Sequence, residues 1–328
     1  MPSQVKVVLI TMFEPPGDMP GELSVIRERE GLVPFELPGS GLKDLYRSPD
    51  GQILAIVAGV GTANTSISMM ALGMSPELDL SEAYWIVVGI AGGNPNVCSL
   101  GSPVWADWCV DGDLAFEVDA REIPEEWPCG ILPLGSKEPY GESSMPQELF
   151  GYPYQVYRLN SKLIERSVSL TKDIELYDNP EIAEIRNKFE NDTATQPPRI
   201  QTGGTLAAAR FWHGARHNAW AERWVDYWTG GNSQFFTSGM EDTGTLHAIA
   251  HLHRVKQANM HRVLILRTIS NYTMPPPGGN VIDSLTGSDH DGEFPAHAVA
   301  LENGYRAVST VFRDIIKNPD VWASLSEA

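Results

Sequence analysis

The sequence predicts an α/β fold with a central mixed, largely parallel sheet covered by helices on both faces. Two observations carry this prediction. Short β-branched apolar runs end in glycine-rich turns, and helical segments follow those turns before the next apolar run begins. Val5–Ile10 reads as a buried first strand, stopped by the Pro-, Gly- and acid-rich loop Phe13–Glu22. Gln52–Ala58 is a second strand that ends at Gly59-Val60-Gly61, and the helical segment from Thr62 has Thr62 or Asn64 available as its cap. Tyr84–Val88 is a third strand, closed by a turn over Gly89–Asn94.

Weaker strands are predicted at Pro103–Ala106 and Leu114–Val118, and a short strand and turn at Arg199–Gly204. Ser161–Leu170 and Pro180–Phe189 have amphipathic helical spacing. Strand-like Gln234–Thr237 precedes a helix over Glu241–Val255. His261–Arg267 is another central strand, and Ala296–Ile316 is a closing helix. Residues 121–160 are dense in Pro, Gly and acid and read as an irregular insertion. No repeat or low-complexity linker divides the chain, so residues 1–328 are expected to form one domain.

With 42% hydrophobic and 20% charged residues, 328 residues are enough to bury a large core. The formal charge of −18 sets the surface against nucleic acid and anionic lipid, so neither is an expected partner. No stretch approaches the roughly 18 to 20 apolar residues of a membrane-spanning helix. The first residues lack a basic segment followed by a long apolar one, and a cytoplasmic location is expected. Cys98, Cys109 and Cys129 are scattered and read as free thiols in a reducing compartment. His247 and His251 stand four residues apart, with His253 nearby. Without HExxH or an adjacent third ligand they predict no metal site, and no cofactor is expected.

The glycine turns Gly59–Gly61 and Gly89–Gly93 suit close backbone approach to a ligand, although neither is a GxGxxG. Glu241 and Asp242 open a helix, where acidic residues are favoured by the helix dipole. The alternative use is a carboxylate gripping a vicinal diol. Phe211 and Trp212 read either as core or as a flat face for stacking a heterocycle. The aromatics between Trp212 and Trp228 read as exposed and suited to an interface. The run LRTISNYTMPPPGG places Ser270 and Asn271 at the end of an apolar strand, a usual place for a ligand in an open α/β sheet.

In order along the chain, VVLITMFEPPGDMPGE, VAGVGTANTS, IVVGIAGGNPNVCSLGSPVWADW, DAREIPEEW, SGMEDTGTL and LRTISNYTMPPPGG resemble the purine nucleoside permease family. That family is similar in turn to the nucleoside phosphorylase and nucleosidase superfamily, which implies a three-layer α/β/α fold and a homo-oligomer. The resemblance implies a purine nucleoside as the small-molecule partner. Met240 and Glu241 would grip the ribose hydroxyls, Ala91 and Gly92 would line the base pocket, and Phe211 or Trp212 would stack on the base. Ala207 and Ala209 stand where the superfamily has Ser and Asp before that Phe. Ser270-Asn271 stands where the superfamily places a Ser followed by the carboxylate that protonates purine N7. An amide cannot deliver a proton there, so Asn271 is expected to orient and polarise the base.

Phosphorolysis needs an arginine and a glycine nest for its dianion. Here both the Gly17–Glu22 loop and the Gly59–Thr62 turn lack a basic residue. In nucleosidases a loop glutamate orients water, and Glu22 is the expected counterpart, with Glu14 and Asp18 as rivals. The resemblance therefore implies a purine nucleoside N-ribohydrolase, with 2'-O-modified riboses within its scope. The alternatives are a phosphate-dependent phosphorylase and a non-catalytic nucleoside-binding protein serving uptake.

Overall fold

The structure is a computed structural model that describes residues 3–15, 17, 19–143, 148–149, 152–287 and 296–327. Its framework is a ten-stranded mixed sheet. In chain order the strands are β1 (Val7–Thr11), β2 (Val33–Pro34), β3 (Leu45–Arg47), β4 (Ile53–Val57), β5 (Tyr84–Gly93), β6 (Pro103–Asp111), β7 (Val156–Arg158), β8 (Gln201–Ala207), β9 (Phe235–Gly239) and β10 (Val263–Tyr272). They lie in the order β7-β6-β8-β9-β5-β1-β4-β3-β2, while β10 pairs with both β5 and β6. That double pairing closes β5, β9, β8, β6 and β10 into a ring, which removes the exposed edges these long strands would otherwise present.

The central strands β1, β4, β5 and β10 run parallel to their partners within this group, so their C-terminal ends share one edge. Their side chains are buried almost without interruption, the pattern of strands covered on both faces. Helices α2 (Thr62–Gly73), α3 (Ser161–Thr171), α5 (Ala215–Thr229), α6 (Asp242–Arg254) and α8 (His297–Lys317) cover the sheet. Short α1 (Ser24–Arg29) precedes them, short α4 (Pro180–Arg186) and α7 (Val281–Thr286) fall between them, and α9 (Pro319–Leu325) ends the series. A β-carbon on Gly244 would lie 2.2 Å from the Thr62 carbonyl oxygen, so glycine there lets α6 and α2 meet backbone to backbone.

Several expected boundaries move, and the ladder is the common reason. β5 continues through Gly89–Gly93, where a turn is expected, because β10 pairs with it as far as Tyr272↔Gly93. β8 likewise passes through Gly203–Gly204 rather than turning there. The cap of α2 is Gly61 (φ 89°) with no side-chain bond; Thr62 lies inside the helix, and Asn64 donates to the Val60 carbonyl. The predicted strand near Leu114–Val118 is Ala115–Glu117, paired with Ile131–Pro133 outside the main sheet.

The largest departure is α5, a helix the sequence reading did not separate from its surroundings. Its Trp220, Trp224 and Trp228, with Trp212 before it, are buried in a core of their own with Phe235 and Leu206. These aromatics are therefore not an exposed interface, as the sequence reading had them.

Candidate functional site

The C-terminal edge of the parallel strands carries a buried cluster of three carboxylates and one guanidinium. Arg267 enters it from β10, opposite Gly89 of β5 in the ladder. Its Nη2 donates to Asp242 Oδ1 at 2.7 Å and to Glu241 Oε2 at 2.9 Å, and Nη1 donates to the Ile90 carbonyl at 3.0 Å. Nε completes the fork on Asp242, whose second oxygen also accepts from the Thr205 hydroxyl. Asp242 is fully buried, and Arg267 and Glu241 nearly so.

Glycine makes room for this packing. A β-carbon at Gly89 would lie 2.6 Å from Glu22 Oε1 and 2.7 Å from Arg267 Nη1, and one at Gly239 would lie 2.9 Å from the guanidinium carbon. Of the glycines expected to allow close approach to a ligand, Gly89 thus admits the protein's own charged side chains.

Glu22 reaches the cluster from the loop after β1. Its Oε2 accepts from the Met12 and Phe13 amides at 2.7 and 3.1 Å, and its Oε1 accepts from the Ile90 amide at 2.8 Å. The residue is 6% exposed. Burial raises its pKa from an ordinary 4.5 to about 7, against the lowering pull of Arg267 and the backbone donors. The rival Glu14 is placed elsewhere, accepting from the Leu23 amide and the Ser24 hydroxyl at the start of α1. Asp18 lies outside the described residues.

Glu241 occupies the N-cap position of α6 without capping it through its side chain. Its Oε1 instead accepts from the Gly61 amide at 3.2 Å, and its Oε2 from the Met240 amide and Arg267. This contact ties the Gly59–Gly61 turn to the cluster. Met240 beside it is half-buried.

Farther along the same strand end, the β5/β10 ladder shifts register between Ile269 and Asn271, and Ser270 is the extra residue. Such a bulge re-aims neighbouring side chains. The Ser270 hydroxyl faces Asn271 Oδ1 at 3.2 Å and the Ala91 carbonyl at 3.4 Å, while Asn271 Nδ2 donates to the Tyr272 carbonyl at 3.1 Å. Asn271 Nδ2 also stands 3.5 Å from where a Gly92 β-carbon would be. Ala91, Gly92, Ser270 and Asn271 are thus brought together.

Phe211 and Trp212 separate from one another. Phe211 is 54% exposed, whereas Trp212 is buried against Trp220 and Phe235. Trp212 is therefore a core residue and not a stacking face. His247 faces the Tyr154 carbonyl, and among the described residues no group of His, Cys, Asp or Glu has the arrangement of a metal site.

The sequence reading missed Arg267 as a site residue. The available signal was a lone arginine inside a buried strand together with a Glu241-Asp242 pair, since buried charges require partners.

The purine nucleoside permease (NUP) family pattern matches residues 4–326. The chain belongs to that family. A Schizosaccharomyces pombe relative, named a probable purine nucleoside permease, is 27% identical over 325 residues, 97% of this chain and 90% of that protein. A Candida albicans purine nucleoside permease is 27% identical over 281 residues, 84% of this chain and 67% of that protein. No helix among the described residues is long and apolar enough to cross a membrane.

The fold of this family member is that of the nucleosidases. The Neisseria meningitidis 5'-methylthioadenosine/S-adenosylhomocysteine nucleosidase, solved with methylthio-immucillin-A, superposes with a TM-score of 0.54 at 14% identity. The match covers 95% of this chain and 99% of that one. Futalosine hydrolase of Helicobacter pylori gives 0.55 at 11% identity, over 95% and 98%.

Proposed function

We propose that the protein is a purine nucleoside N-ribohydrolase. The observation that carries this reading is the charge balance of the buried cluster. Its single guanidinium is engaged by Asp242 and Glu241, and Glu22 adds a third carboxylate. A site of this sign favours the positive charge that develops on the sugar as the glycosidic bond lengthens. It opposes a phosphate dianion, and the Gly61 amide, a donor an anion would need, is already held by Glu241.

In this reading Glu241, next to Met240, accepts from the ribose 2' and 3' hydroxyls. Glu22, ionised above about pH 7, takes a proton from the attacking water near C1'. The base lies along Ala91-Gly92 with Phe211 over it, and Asn271 and Ser270 hydrogen-bond its edge. The same reading takes the α3–α8 and α2–α6 pairs as outer layers of a three-layer sandwich, and the packing within each pair supports it.

The relatives' permease names, together with an amide where an acid would aid departure of the base, favour a second reading: a nucleoside-binding protein that serves uptake without turnover. The deciding experiment is chromatography of adenosine, inosine and guanosine incubated with the protein, with and without phosphate. Hydrolysis predicts free base and ribose in both. Product only with phosphate would overturn it in favour of phosphorolysis. Tight binding with no product over hours would overturn it in favour of uptake.

A further inference from the structure

A second polar cluster lies beyond Gly92, where buried Asn94, Asn218 and Thr273 join Asn96 and Glu222. Its hydrogen bonds have a forced direction. Asn94 Nδ2 donates to the Phe235 carbonyl at 3.1 Å, and Asn94 Oδ1 accepts from the Asn96 backbone amide at 3.1 Å. A carbonyl only accepts and an amide N–H only donates, so these two anchors settle which way the Asn94 side chain points.

Asn94 Oδ1 then requires a donor from Asn218, whose Nδ2 stands 3.1 Å away. Asn218 is left presenting Oδ1 to the Thr273 hydroxyl at 2.6 Å. Glu222 Oε1 reinforces the same orientation by accepting from Asn94, Asn96 and Asn218 at 2.9, 2.8 and 3.3 Å. The relay ends at Thr273, whose amide donates to the Gly93 carbonyl and whose hydroxyl stands 3.1 Å from it. With its hydroxyl held on that side, the Thr273 methyl is turned to within 3.1 Å of the missing side chain of Gly92. Asn271 Nδ2 bounds the same space at 3.5 Å and Ser238 Cβ at 4.0 Å.

We infer that Asn218, oriented by Asn94 and Glu222, is a positioning residue that sets the Thr273–Gly92–Asn271 wall of the base pocket. The inference rests on the nucleoside-site reading above and deepens it. Nothing in the relay touches the Glu22–Arg267 cluster. Along an extended strand Gly89 and Gly92 stand about 10 Å apart, so one end of the strand faces charge and the other faces amides. Losing the relay should therefore alter recognition of the base and leave the bond-breaking step largely alone.

The test is a double-mutant cycle on the full chain with Asn218→Ala, Thr273→Val and the pair. It is read by the Kd of adenine and hypoxanthine and by KM and kcat for the matching nucleosides. Thr273→Val keeps the shape of the side chain and removes only the hydroxyl, so it carries the test should Asn218→Ala fold poorly. We expect each single variant to weaken base binding and raise KM about tenfold, the loss of one hydrogen bond, with kcat within about threefold. The pair should be no worse than either single variant, because both break the same link.

Additive effects, or a fall in Tm with unchanged Kd and KM, would overturn the positioning role while leaving the hydrolase reading intact. If the wild-type protein binds purines without hydrolysing them, the Kd cycle still decides the positioning role. If it binds neither base, both readings fall together.

Discussion

The two ends of the site on β5 are built from opposite materials. At Gly89, Arg267 pairs with buried Glu241 and Asp242 and lies beside buried Glu22, and the glycine makes room for the guanidinium and for Glu22. At Gly92–Asn94 the partners are mostly amides and hydroxyls, with one half-buried carboxylate, Glu222, tying them together. Charge in a low-dielectric setting acts strongly and in both directions: it can stabilise a developing cation, and it is costly when a partner is lost. Neutral amides hold geometry at lower stakes and discriminate by donor and acceptor pattern. A reaction that makes a cationic sugar beside a neutral base would use the first kind of environment at the sugar and the second at the base.

Removing the guanidinium attacks that contrast where it is strongest. Arg267→Met leaves fully buried Asp242 and nearly buried Glu241 without their cation. The expected loss is about 3 to 5 kcal/mol of unfolding free energy. Urea melts of the two proteins at one pH check this, and a loss under about 1 kcal/mol would show that the cluster does not depend on its arginine.

Glu22→Gln tests the same end with a smaller structural change. If Glu22 activates water, kcat should fall by about 10²- to 10⁴-fold. The wild-type rate should climb with pH as Glu22 ionises near 7. Stability should run the other way. The folded pKa lies above the ordinary 4.5, so the contribution of protonated Glu22 is complete below 4.5 and is lost as pH rises through about 7. Between pH 5 and 8 the wild type should lose up to about 3 kcal/mol relative to Glu22→Gln, from about 1.4 kcal/mol per pKa unit. Parallel stability curves for the two proteins would place the titrating group elsewhere.

These two side chains also show what can be read from a sequence. The apolar runs of β1, β4, β5 and β10 are visible because burial on both faces leaves few polar interruptions. Their ends are not, because β5 and β10 extend one another through glycine, serine and asparagine by pairing, a contact between residues about 180 apart in the chain. Helix α5 was hidden because its tryptophans and polar residues resemble an exposed aromatic surface until the core around Phe235 is known. Glu22 was reachable only through family resemblance, since nothing local distinguishes it from Glu14; the choice between them rests on which loop residue lands at Ile90. Arg267 stands in a predicted central strand with no partner adjacent in sequence. Its partners Glu241 and Asp242, about 25 residues away, come to it only when the strand is laid opposite Gly89.

Asn271→Asp gives the smallest expected change and probes the amide end. Asn271 Nδ2 donates to the Tyr272 carbonyl, and its Oδ1 faces the Ser270 hydroxyl. An ionised aspartate in the same pose would set an oxygen against that carbonyl, an acceptor facing an acceptor. The protonated form relieves the conflict by donating to it, so the introduced carboxyl should titrate above its usual value near 3.9. The substitution should leave stability near that of wild type at low pH and give the activity profile a new descending limb as the acid ionises. A purine whose departure is helped by a proton should gain most at the acidic end. If pH profiles of kcat/KM for the two proteins superimpose, Asn271 lies outside the base site, and the bulge at Ser270 serves the ladder rather than the ligand.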